Sequence, residues 1–432
     1  MKKYIGVYLM ILSFMLLLSG CKKDEQFKPV KKDSVGVYYW FTNYNSISFT
    51  CWLRTHDNYV WTWYDKTYKL FNSDKKLVQD FTKPLDELYE SGYYGTTYLS
   101  GTTIGNESGN LENFCLYYND DGPDPENYNT HLRVVEMDGS GYTSVKSTPI
   151  HYHYRYSDYL MTGKFIKTNS NYYIMYLYTC YDTSSVNYYP AFRDSLVFVK
   201  TDHNLNILSR YQVTASDTLL GGSQKVYDIR ESTSRLYVCR TDQSEYSYYY
   251  GNSMIEIYDK ELNPLHKISL EDVYPGGSDW STYYKVFQKI FVSGNRIIVF
   301  GEKQVSYSDN NTLLMTAFDA DGNFLNSVDI HTRKPSAFLK GVEACADGKY
   351  LLYYSESDET SETTPSIGVC KVDANGVQDY TLLFPENDPN SYTPCMAYEN
   401  SDGTITIYAV KKGQQSPEQT LVVKMDRNGK IQ

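Results

Sequence analysis

Residues 312–330, TLLMTAFDADGNFLNSVDI, contain the pattern that decides the fold. The apolar run LLMTAF leads into the turn sequence DADGN at 319–323, and the chain resumes as FLNSVDI, which predicts two antiparallel strands joined by a tight hairpin. The Asp319 carboxylate can accept hydrogen bonds from N–H groups two residues further on, and a nearby Gly or Asn can supply the positive φ of the turn. A calcium loop would need a downstream glutamate that is missing here, so we interpret Asp319 as a turn residue.

The same hairpin pattern occurs at six other places in the chain. Its aspartates are Asp74, Asp138, Asp202, Asp259, Asp373 and Asp426. With Asp319 included, successive aspartates are 53 to 64 residues apart. A near-constant period of this size is typical of a repeat array.

Each repeat is predicted to hold four strands. In the clearest repeat, KVFQKIFV and RIIVFG are joined by a turn at 293–295 and precede the hairpin of Asp319. Four-stranded units at this period, with no helical pattern between them, predict an all-β fold: a seven-bladed β-propeller of four-stranded antiparallel blades over residues 34–432. The last repeat stops at Gln432 without a full outer strand, whereas SVGVYYWF at 34–41 has no repeat of its own. We therefore expect this N-terminal strand to close the ring.

The order of strand, short turn, strand and aspartate hairpin resembles the blade repeats of several bacterial propeller families. The resemblance covers the chain from about Asn45 to the C-terminus. It implies a fold and says little about activity, because propellers include binding proteins, lyases, hydrolases and scaffolds.

The N-terminus has the layout of a secretory signal peptide, with Lys2 and Lys3 before an apolar run at 4–18. The LSGC sequence at 18–21 resembles a bacterial lipobox, which implies that residues 1–20 are a lipoprotein signal peptide and that Cys21 carries the lipid, palmitate included. Lys-Asp-Glu at 23–25 is similar to the export signal of surface lipoproteins in Bacteroidota. These resemblances imply a lipid-anchored outer-membrane protein, on the cell surface or alternatively at the periplasmic leaflet. Residues 21–33 then form a lipidated tether.

Charge excludes one class of partner. Without Lys2 and Lys3, 39 of the 41 basic residues remain against 52 acidic residues, so the net charge is near −13. Such a field repels nucleic acid. Seven cysteines remain after Cys21, each alone within an apolar run, and we predict that they are small buried side chains without disulfide or metal pairing.

Strand order decides which connections share a face of the predicted ring. Because strands alternate in direction, first-to-second and third-to-fourth connections lie on one face, the hairpin face, and second-to-third and blade-to-blade connections lie on the other, the loop face. The loop face receives the long connections, which are rich in the chain's 46 tyrosines. Tyrosine offers a rigid ring and a hydroxyl at low entropy cost, which suits sugars, planar molecules and protein surfaces. The candidate ligand-binding residues are Tyr93, Tyr94, His151, His153, Arg155, Tyr188, Tyr189, Tyr246, Tyr248, Tyr250, Trp280, Tyr283 and Tyr284.

His151 and His153 form the nearest approach to a catalytic or metal-binding pattern. In an extended segment their side chains point the same way, so they can bind one metal or substrate, contact a ligand as polar groups, or anchor the loop. No third ligand stands at a fixed spacing, and the sequence has no G-x-S-x-G, P-loop, dinucleotide-binding or H-E-x-x-H pattern. We predict no catalytic residue, no metal and no cofactor.

These observations favour a binding protein over an enzyme. The leading hypothesis is capture of a glycan or another nutrient, such as a corrinoid, for an outer-membrane TonB-dependent transporter, which is the usual role of the lipoproteins that this chain resembles. The second hypothesis is a cell-surface scaffold that binds protein partners. The third is a polysaccharide-cleaving propeller enzyme.

Overall fold

The protein is described here by a computed structural model. It describes residues 31–32, 38–41, 49–55, 58–63, 68–72, 77–80, 97–105, 111–119, 128–138, 141–153, 159–182, 191–214, 225–243, 251–269, 273, 284–304, 310–358, 365–385, 390–412 and 419–432, with side chains from residue 131 onward and further gaps. Over these ranges the chain is all-β, and no helix in them is long and apolar enough to cross a membrane.

The strands form seven sheets in the described part of the chain, which we number in chain order. The chain begins with β1 (Lys31–Lys32) and β2 (Tyr38–Phe41). Sheet 1 holds β3 (Phe49–Thr55), β4 (Asn58–Trp63), β5 (Tyr68–Asn72) and β6 (Leu77–Asp80). Sheet 2 holds β7 (Thr97–Gly105), β8 (Leu111–Asn119), β9 (Tyr128–Asp138) and β10 (Gly141–His153). Sheet 3 holds β11 (Tyr159–Lys167), β12 (Asn171–Asp182), β13 (Ala191–Asp202) and β14 (Ile207–Thr214). Sheet 4 holds β15 (Lys225–Glu231), β16 (Arg235–Gln243), β17 (Gly251–Asp259) and β18 (Pro264–Ser269).

The remaining three sheets complete the chain. Sheet 5 holds β19 (Tyr284–Ser293), β20 (Arg296–Gln304), β21 (Thr312–Asp319) and β22 (Phe324–Ile330). Sheet 6 holds β23 (Ser336–Ala344), β24 (Tyr350–Ser357), β25 (Ser366–Val372) and β26 (Gln378–Phe384). Sheet 7 holds β27 (Ser391–Glu399), β28 (Ile405–Lys412) and β29 (Gln419–Met425), followed by β2 and β1.

Neighbouring strands within each sheet are antiparallel. The first strands of successive sheets contact one another in chain order, and β27 of sheet 7 contacts β3 of sheet 1. Repeated four-stranded antiparallel sheets with this arrangement have the architecture of a β-propeller. The all-β prediction and the four-stranded repeat are confirmed.

Strand β29 has partners from both ends of the chain. Tyr38 of β2 lies opposite Val422, and Ile431 forms a bridge with Met425. The N-terminal strand and the last residues of the chain therefore share the fourth-strand position of sheet 7.

Strand β1 is a feature that the sequence does not predict. Lys31 and Lys32 lie within the segment 21–33, which the sequence assigns to a tether, yet they pair with β2. A lysine on an edge strand keeps its ammonium group in water, so a polar sequence can extend a sheet at its outer edge.

The apolar core lies between the sheets. Every residue of β24 is buried, and its alternate side chains enter different cores because successive residues of a strand point to opposite faces. Leu352 and Tyr354 pack with Phe300 of sheet 5, whereas Leu351 and Tyr353 pack toward sheet 7. A strand buried on both faces explains why these segments are continuous apolar runs.

The aspartate hairpins have the predicted hydrogen bonds. Their described members are Asp202, Asp259, Asp319, Asp373 and Asp426. In each hairpin one carboxylate oxygen accepts the N–H groups two and four residues further on, at 2.8 or 2.9 Å. The amide side chains of Asn206 and Asn323, with these N–H groups, hold the pKa of Asp202 and of Asp319 below the usual value. The turn role of the aspartate is confirmed for these five hairpins.

The residue three positions after the aspartate has a positive φ, and its identity varies. In sheet 5 it is Gly322, with φ of 92°. In sheets 3 and 4 it is Leu205 and Leu262, with φ of 66° and 70°, so the expectation of Gly or Asn at this position is wrong there. Both leucines are 1% exposed and pack in the core shared with the preceding sheet, which offsets the backbone strain. At Gly322 the side chain of His266 occupies the space that a larger residue would need, because an added Cβ would lie 2.7 Å from His266.

A second set of contacts on the hairpin face joins neighbouring sheets, and we call them the inter-sheet latches. In each latch a basic side chain donates to the aspartate hairpin of the next sheet. The latches are Lys146 Nζ to His203 O (2.8 Å), Lys200 Nζ to Glu261 Oε1 (2.6 Å), Arg235 Nη2 to Asp321 Oδ1 (2.9 Å) and Arg296 Nη1 to Asn375 Oδ1 (3.0 Å). They join sheets 2 to 6 in one direction. Each hairpin of sheets 3 to 6 is therefore bound to the sheet before it.

Candidate binding face and channel

Most predicted ligand-binding residues lie outside the described part of the chain. These residues are Tyr93, Tyr94, Arg155, Tyr188, Tyr189, Tyr246, Tyr248, Tyr250, Trp280 and Tyr283. The predicted lipidation site Cys21 also lies outside it. For His151, His153 and Tyr284 the backbone is described. The assignment of these side chains to a ligand stays a prediction.

The sequence suggests that the histidine pair lies in a loop, but the structure places both residues in a strand. His151 and His153 are at the end of β10, opposite Thr130 and Tyr128 of β9. Pairing continues that far because a bulge after Pro149 restores the register, and the alternating aromatic sequence suits a strand. Tyr284 is likewise the first residue of β19 rather than a loop residue.

The strand ends that flank the tyrosine-rich connections lie at the loop face, and the aspartate hairpins lie at the other face. Asp182 faces Ala191, and Gln243 faces Gly251, at the ends of second and third strands. The segments 183–190 and 244–250 therefore start and finish at the loop face. The sheet-to-sheet segments 81–96, 154–158 and 270–283 join a fourth strand to the next first strand, which places their flanking strand ends at the same face.

The first strand of each of the seven sheets carries a β-bulge or irregularity where it pairs with the second strand. In the four sheets whose side chains are described here, the bulge residues are Tyr227, Gln288, Lys340 and Cys395. Each is partly exposed and directly follows a buried residue. These partly exposed side chains therefore lie on the first strands, which contact one another from sheet to sheet.

The preceding sheet stabilises the bulges of sheets 5 and 6. Phe287 N donates to Ser253 Oγ at 2.9 Å, and Leu339 N donates to Glu302 Oε1 at 2.5 Å. Both donors stand directly before a bulge residue. In sheet 7 that position is Pro394, which has no N–H to satisfy.

Glu302 is the centre of a polar network between sheets 5 and 6. Its carboxylate accepts from Gln288 Nε2 at 3.0 Å and from Asn311 Nδ2 at 2.8 Å, besides Leu339 N. Burial raises the pKa of Glu302, although these hydrogen bonds and the charge of Lys340 work in the opposite direction. The network fixes the side chain of Gln288 against Glu302 of the neighbouring strand.

Lys289 follows Gln288 and is also partly exposed. Its ammonium group forms no ion pair or hydrogen bond with any residue in the described ranges. Lys340, the bulge residue of the next sheet, brings a second ammonium group to the same pair of sheets. The charge of Lys340 acts on the Glu302 carboxylate, so this pair of sheets holds charges of both signs.

A different titratable cluster lies on the hairpin face. Oxygen atoms of Asp347 and Glu399 and the Cys345 sulfur lie within 4.8 Å of one another, a spacing that can suit a metal. However, Lys371 Nζ lies 2.9 Å from Asp347 and 2.5 Å from Glu399. Burial works to lower the pKa of Lys371, but these carboxylates raise it above its usual value, and burial raises the pKa of Cys345 to about 11. A protonated thiol and an ammonium group make this cluster an ion-pair network that joins sheets 6 and 7.

Sequence reasoning missed the bulges and the Glu302 network. The one sequence signal is a polar or charged residue inside an apolar first strand, as in VFQKIF and AFLKGV. Among the cysteines whose side chains are described, the predicted burial is confirmed at Cys239 and Cys370, whereas Cys345 and Cys395 are only partly buried.

Comparisons with known proteins give no family. No protein-family model matches the chain, and no curated protein matches it. Among solved structures, it is similar to a Dos1 propeller with 11% identity and a TM-score of 0.43, over 91% of this chain and 81% of that chain. It is also similar to the polysaccharide lyase Uly1 with 12% identity and a TM-score of 0.44, over 94% and 95% of the two chains. A thermostable family-43 glycoside hydrolase matches with 12% identity and a TM-score of 0.32, over 64% and 92%. Similarities this low carry no argument about activity or ligand.

Proposed function

We propose that this protein is a lipid-anchored outer-membrane lipoprotein, displayed at the cell surface, whose closed seven-bladed propeller binds a glycan or another small nutrient at its loop face for uptake. The observation that carries the binding proposal is the contrast between the two faces. On the hairpin face, the turns are short and their aspartates are engaged by their own backbone. The loop face receives the long connections that contain the predicted tyrosines. Functional residues are commonly found on long loops that a rigid frame positions.

Two contacts support a closed ring of seven blades. β27 of sheet 7 contacts β3 of sheet 1, as the other first strands contact their neighbours. β2 pairs with β29, so the first strand of the propeller domain completes the last sheet. A closed ring protects strand edges that an open array of sheets would expose.

The anchor rests on the lipobox resemblance and is tested in cells. We expect Cys21→Ala to abolish incorporation of labelled palmitate, because the thiol of Cys21 is the only proposed attachment point. Asp24→Ala with Glu25→Ala should keep the lipid but lose surface display. Protease shaving of intact cells separates the two effects. A double variant as accessible to protease as the parent would remove the export signal from the proposal.

Ligand binding is tested on the purified protein without its lipid. A ligand at 100 times its Kd stabilises a folded protein by about 2.7 kcal/mol, which is visible as a thermal shift. Glycans, corrinoids and haem are screened together. We expect the Tyr248→Ala and Tyr250→Ala pair, or Trp280→Ala, to weaken binding, because stacking on aromatic rings contributes much of the affinity for such ligands. Phe324→Ala is the matched control, since this ring is 48% exposed and lies just after an aspartate hairpin.

The outcomes distinguish the three hypotheses. Binding that survives loss of the loop aromatics would place the site elsewhere. Turnover of a bound glycan would make the protein an enzyme. No shift with any small molecule, together with a partner protein crosslinked on intact cells, would favour the scaffold.

A further inference from the structure

We propose that the loop face is turned toward the membrane that holds the lipid anchor, so that it is the surface that meets an integral protein of that membrane. This inference rests on the proposed function, because it needs the lipid on Cys21. It adds an orientation and the kind of partner. The hairpin face points away from the membrane, and a nutrient bound at the loop face lies between the propeller and the protein that takes it up.

The outer edge of sheet 7 shows from which side the chain enters the propeller. β29 runs from the loop face to the hairpin face, since Gln419 follows the connection from β28 and Met425 directly precedes an aspartate hairpin. β2 is antiparallel to β29, with Phe41 opposite Gln419. β1 is antiparallel to β2 in turn, so it runs from the loop face toward the hairpin face. The chain therefore enters β1 from the loop-face side.

The point of entry is also nearer to the loop face. Lys31 lies opposite Tyr39, which lies opposite Leu421 of β29. Because β29 spans Gln419–Met425, Leu421 is two residues from its loop-face end and four residues from its hairpin-face end. At about 3.3 Å per residue these distances are about 7 Å and about 13 Å. Both the direction of the chain and its height at entry favour the loop face.

The segment between the anchor and the first strand is short. Residues 22–30 separate the proposed lipid on Cys21 from β1. Nine residues span at most about 30 Å. If the hairpin face rested on the membrane, this segment would have to double back along the rim of sheet 7 and use about 13 Å of its reach to pass the sheet. With the loop face toward the membrane, no reversal is needed.

The hairpin face itself presents polar groups to a membrane. Its turns carry exposed polar residues, which are Asn204, Glu261, Asp321, Asn375 and Asn428. Exposed apolar side chains such as Leu265 and Phe324 belong to the fourth strands that follow these turns. A bilayer at this face would meet the polar turns before it met those apolar side chains, and removing polar groups from water is costly.

Energy transfer to labelled lipids tests the orientation. The lipidated protein is reconstituted into vesicles of phosphatidylethanolamine and phosphatidylglycerol that carry an acceptor dye on lipid headgroups. A donor dye is attached to Asp358→Cys at the loop face or to Asp321→Cys at the hairpin face. These side chains are matched, since they are 75% and 73% exposed and each forms an ion pair with a basic residue. We expect at least twofold more transfer from the Asp358→Cys label, because a strand of about 26 Å separates the two faces.

A second pair of labels in sheet 7 excludes a tilt of the ring as the cause. Lys412→Cys at the loop face and Asn428→Cys at the hairpin face are both exposed positions, and we expect them to give the same order of transfer. The parent protein measures the labelling of native cysteines. Thermal melting confirms that each variant is folded.

Crosslinking on intact cells tests the partner. The photoreactive residue p-benzoylphenylalanine takes the place of Asp358 or of Asp321, and ultraviolet light links it to protein in direct contact. We expect the label at the loop face to crosslink to a protein that stays in the outer-membrane fraction after carbonate washing. The label at the hairpin face should give no such product.

Equal transfer from the two faces, or more transfer from the hairpin face, would overturn the orientation. A membrane-protein crosslink from the Asp321 position, or none from the Asp358 position, would overturn the assignment of the partner. The proposed function fails separately. If mass spectrometry of the N-terminal peptide finds no lipid on Cys21, the anchor is wrong and the orientation with it. A lipidated protein whose hairpin face lies at the membrane keeps the anchor and refutes this inference alone.

Discussion

Replacing Arg240 by methionine is expected to lower the free energy of unfolding by about 3–5 kcal/mol. Arg240 is 2% exposed and Glu256 is 8% exposed. The guanidinium donates from Nε to Glu256 Oε2 at 2.9 Å and from Nη2 to Oε1 at 2.8 Å. Tyr258 donates its hydroxyl to the same carboxylate at 2.8 Å. The variant leaves the Glu256 carboxylate buried without its cation, and urea unfolding at pH 7 measures the loss.

The difference in the free energy of unfolding between the parent and the Arg240→Met variant should become smaller as the pH falls. Burial alone would raise the pKa of Glu256, but the hydrogen bonds and charge of Arg240 hold it below the usual value. Because the folded pKa lies below the unfolded one, the pair stabilises the parent above the usual glutamate pKa and loses this effect as the pH drops through the folded pKa. In the variant Glu256 can take up a proton instead, so parent and variant converge in acid.

A double variant separates the lost pair from lost packing. Arg240→Met with Glu256→Leu removes both charges, and we expect it to recover much of the stability, because an apolar pair of similar volume replaces a buried ion pair at little cost. The explanation fails if Arg240→Met is as stable as the parent, or if the double variant is no more stable than the single one.

Gly368→Ala should be the second large loss, about 3 kcal/mol. Gly368 of β25 lies opposite Tyr354 of β24, and the tyrosine ring covers it. An added Cβ would lie 2.1 Å from Tyr354 Cε2, and Tyr354 is fully buried in the core between sheets 5 and 6. Neither ring nor strand has room to move, since sheet 6 is packed on both faces. Thermal or urea unfolding measures the effect.

Gly348→Ala is the matched control for a glycine substitution. Gly348 has φ of 77° and nothing within 4 Å of the added Cβ, so only backbone strain of about 1–2 kcal/mol is expected. Combining Gly368→Ala with Tyr354→Leu should restore part of the lost stability by making room. If Gly368→Ala costs no more than Gly348→Ala, the ring does not constrain this position.

Local patterns predicted the fold because each repeat is specified by short-range signals. The hairpin at Asp319 needs only five consecutive residues, and β20, β21 and β22 follow the apolar runs of the sequence. The N-terminal strand was recognisable because the last repeat lacks an outer strand. Two leucines at positive φ were not predictable, since Leu205 and Leu262 depend on a core formed with another sheet.

The candidate site was less predictable for the same reason. Tyrosine-rich connections are visible in composition, and strand order assigns them to one face. His151 was misplaced in a loop because its strand pairing depends on Thr130 of β9, more than twenty residues earlier. The network of Glu302 joins Gln288 of β19, Asn311 directly before β21 and Leu339 of β23. No sequence window contains such a set.

The inter-sheet latches connect sheets 2 to 6 in the way that contacts connect the subunits of a head-to-tail oligomer. Every latch joins a donor side of one sheet to an acceptor hairpin of the next, so the contact is heterologous and has no built-in end. The residues of a single repeat do not determine how many repeats the chain contains. Sheet 7 differs from the others, because Tyr38 from near the N-terminus and Ile431 both pair with its strand β29. Adding or deleting a repeat would leave each remaining latch chemically intact while changing the angle at which the two ends meet.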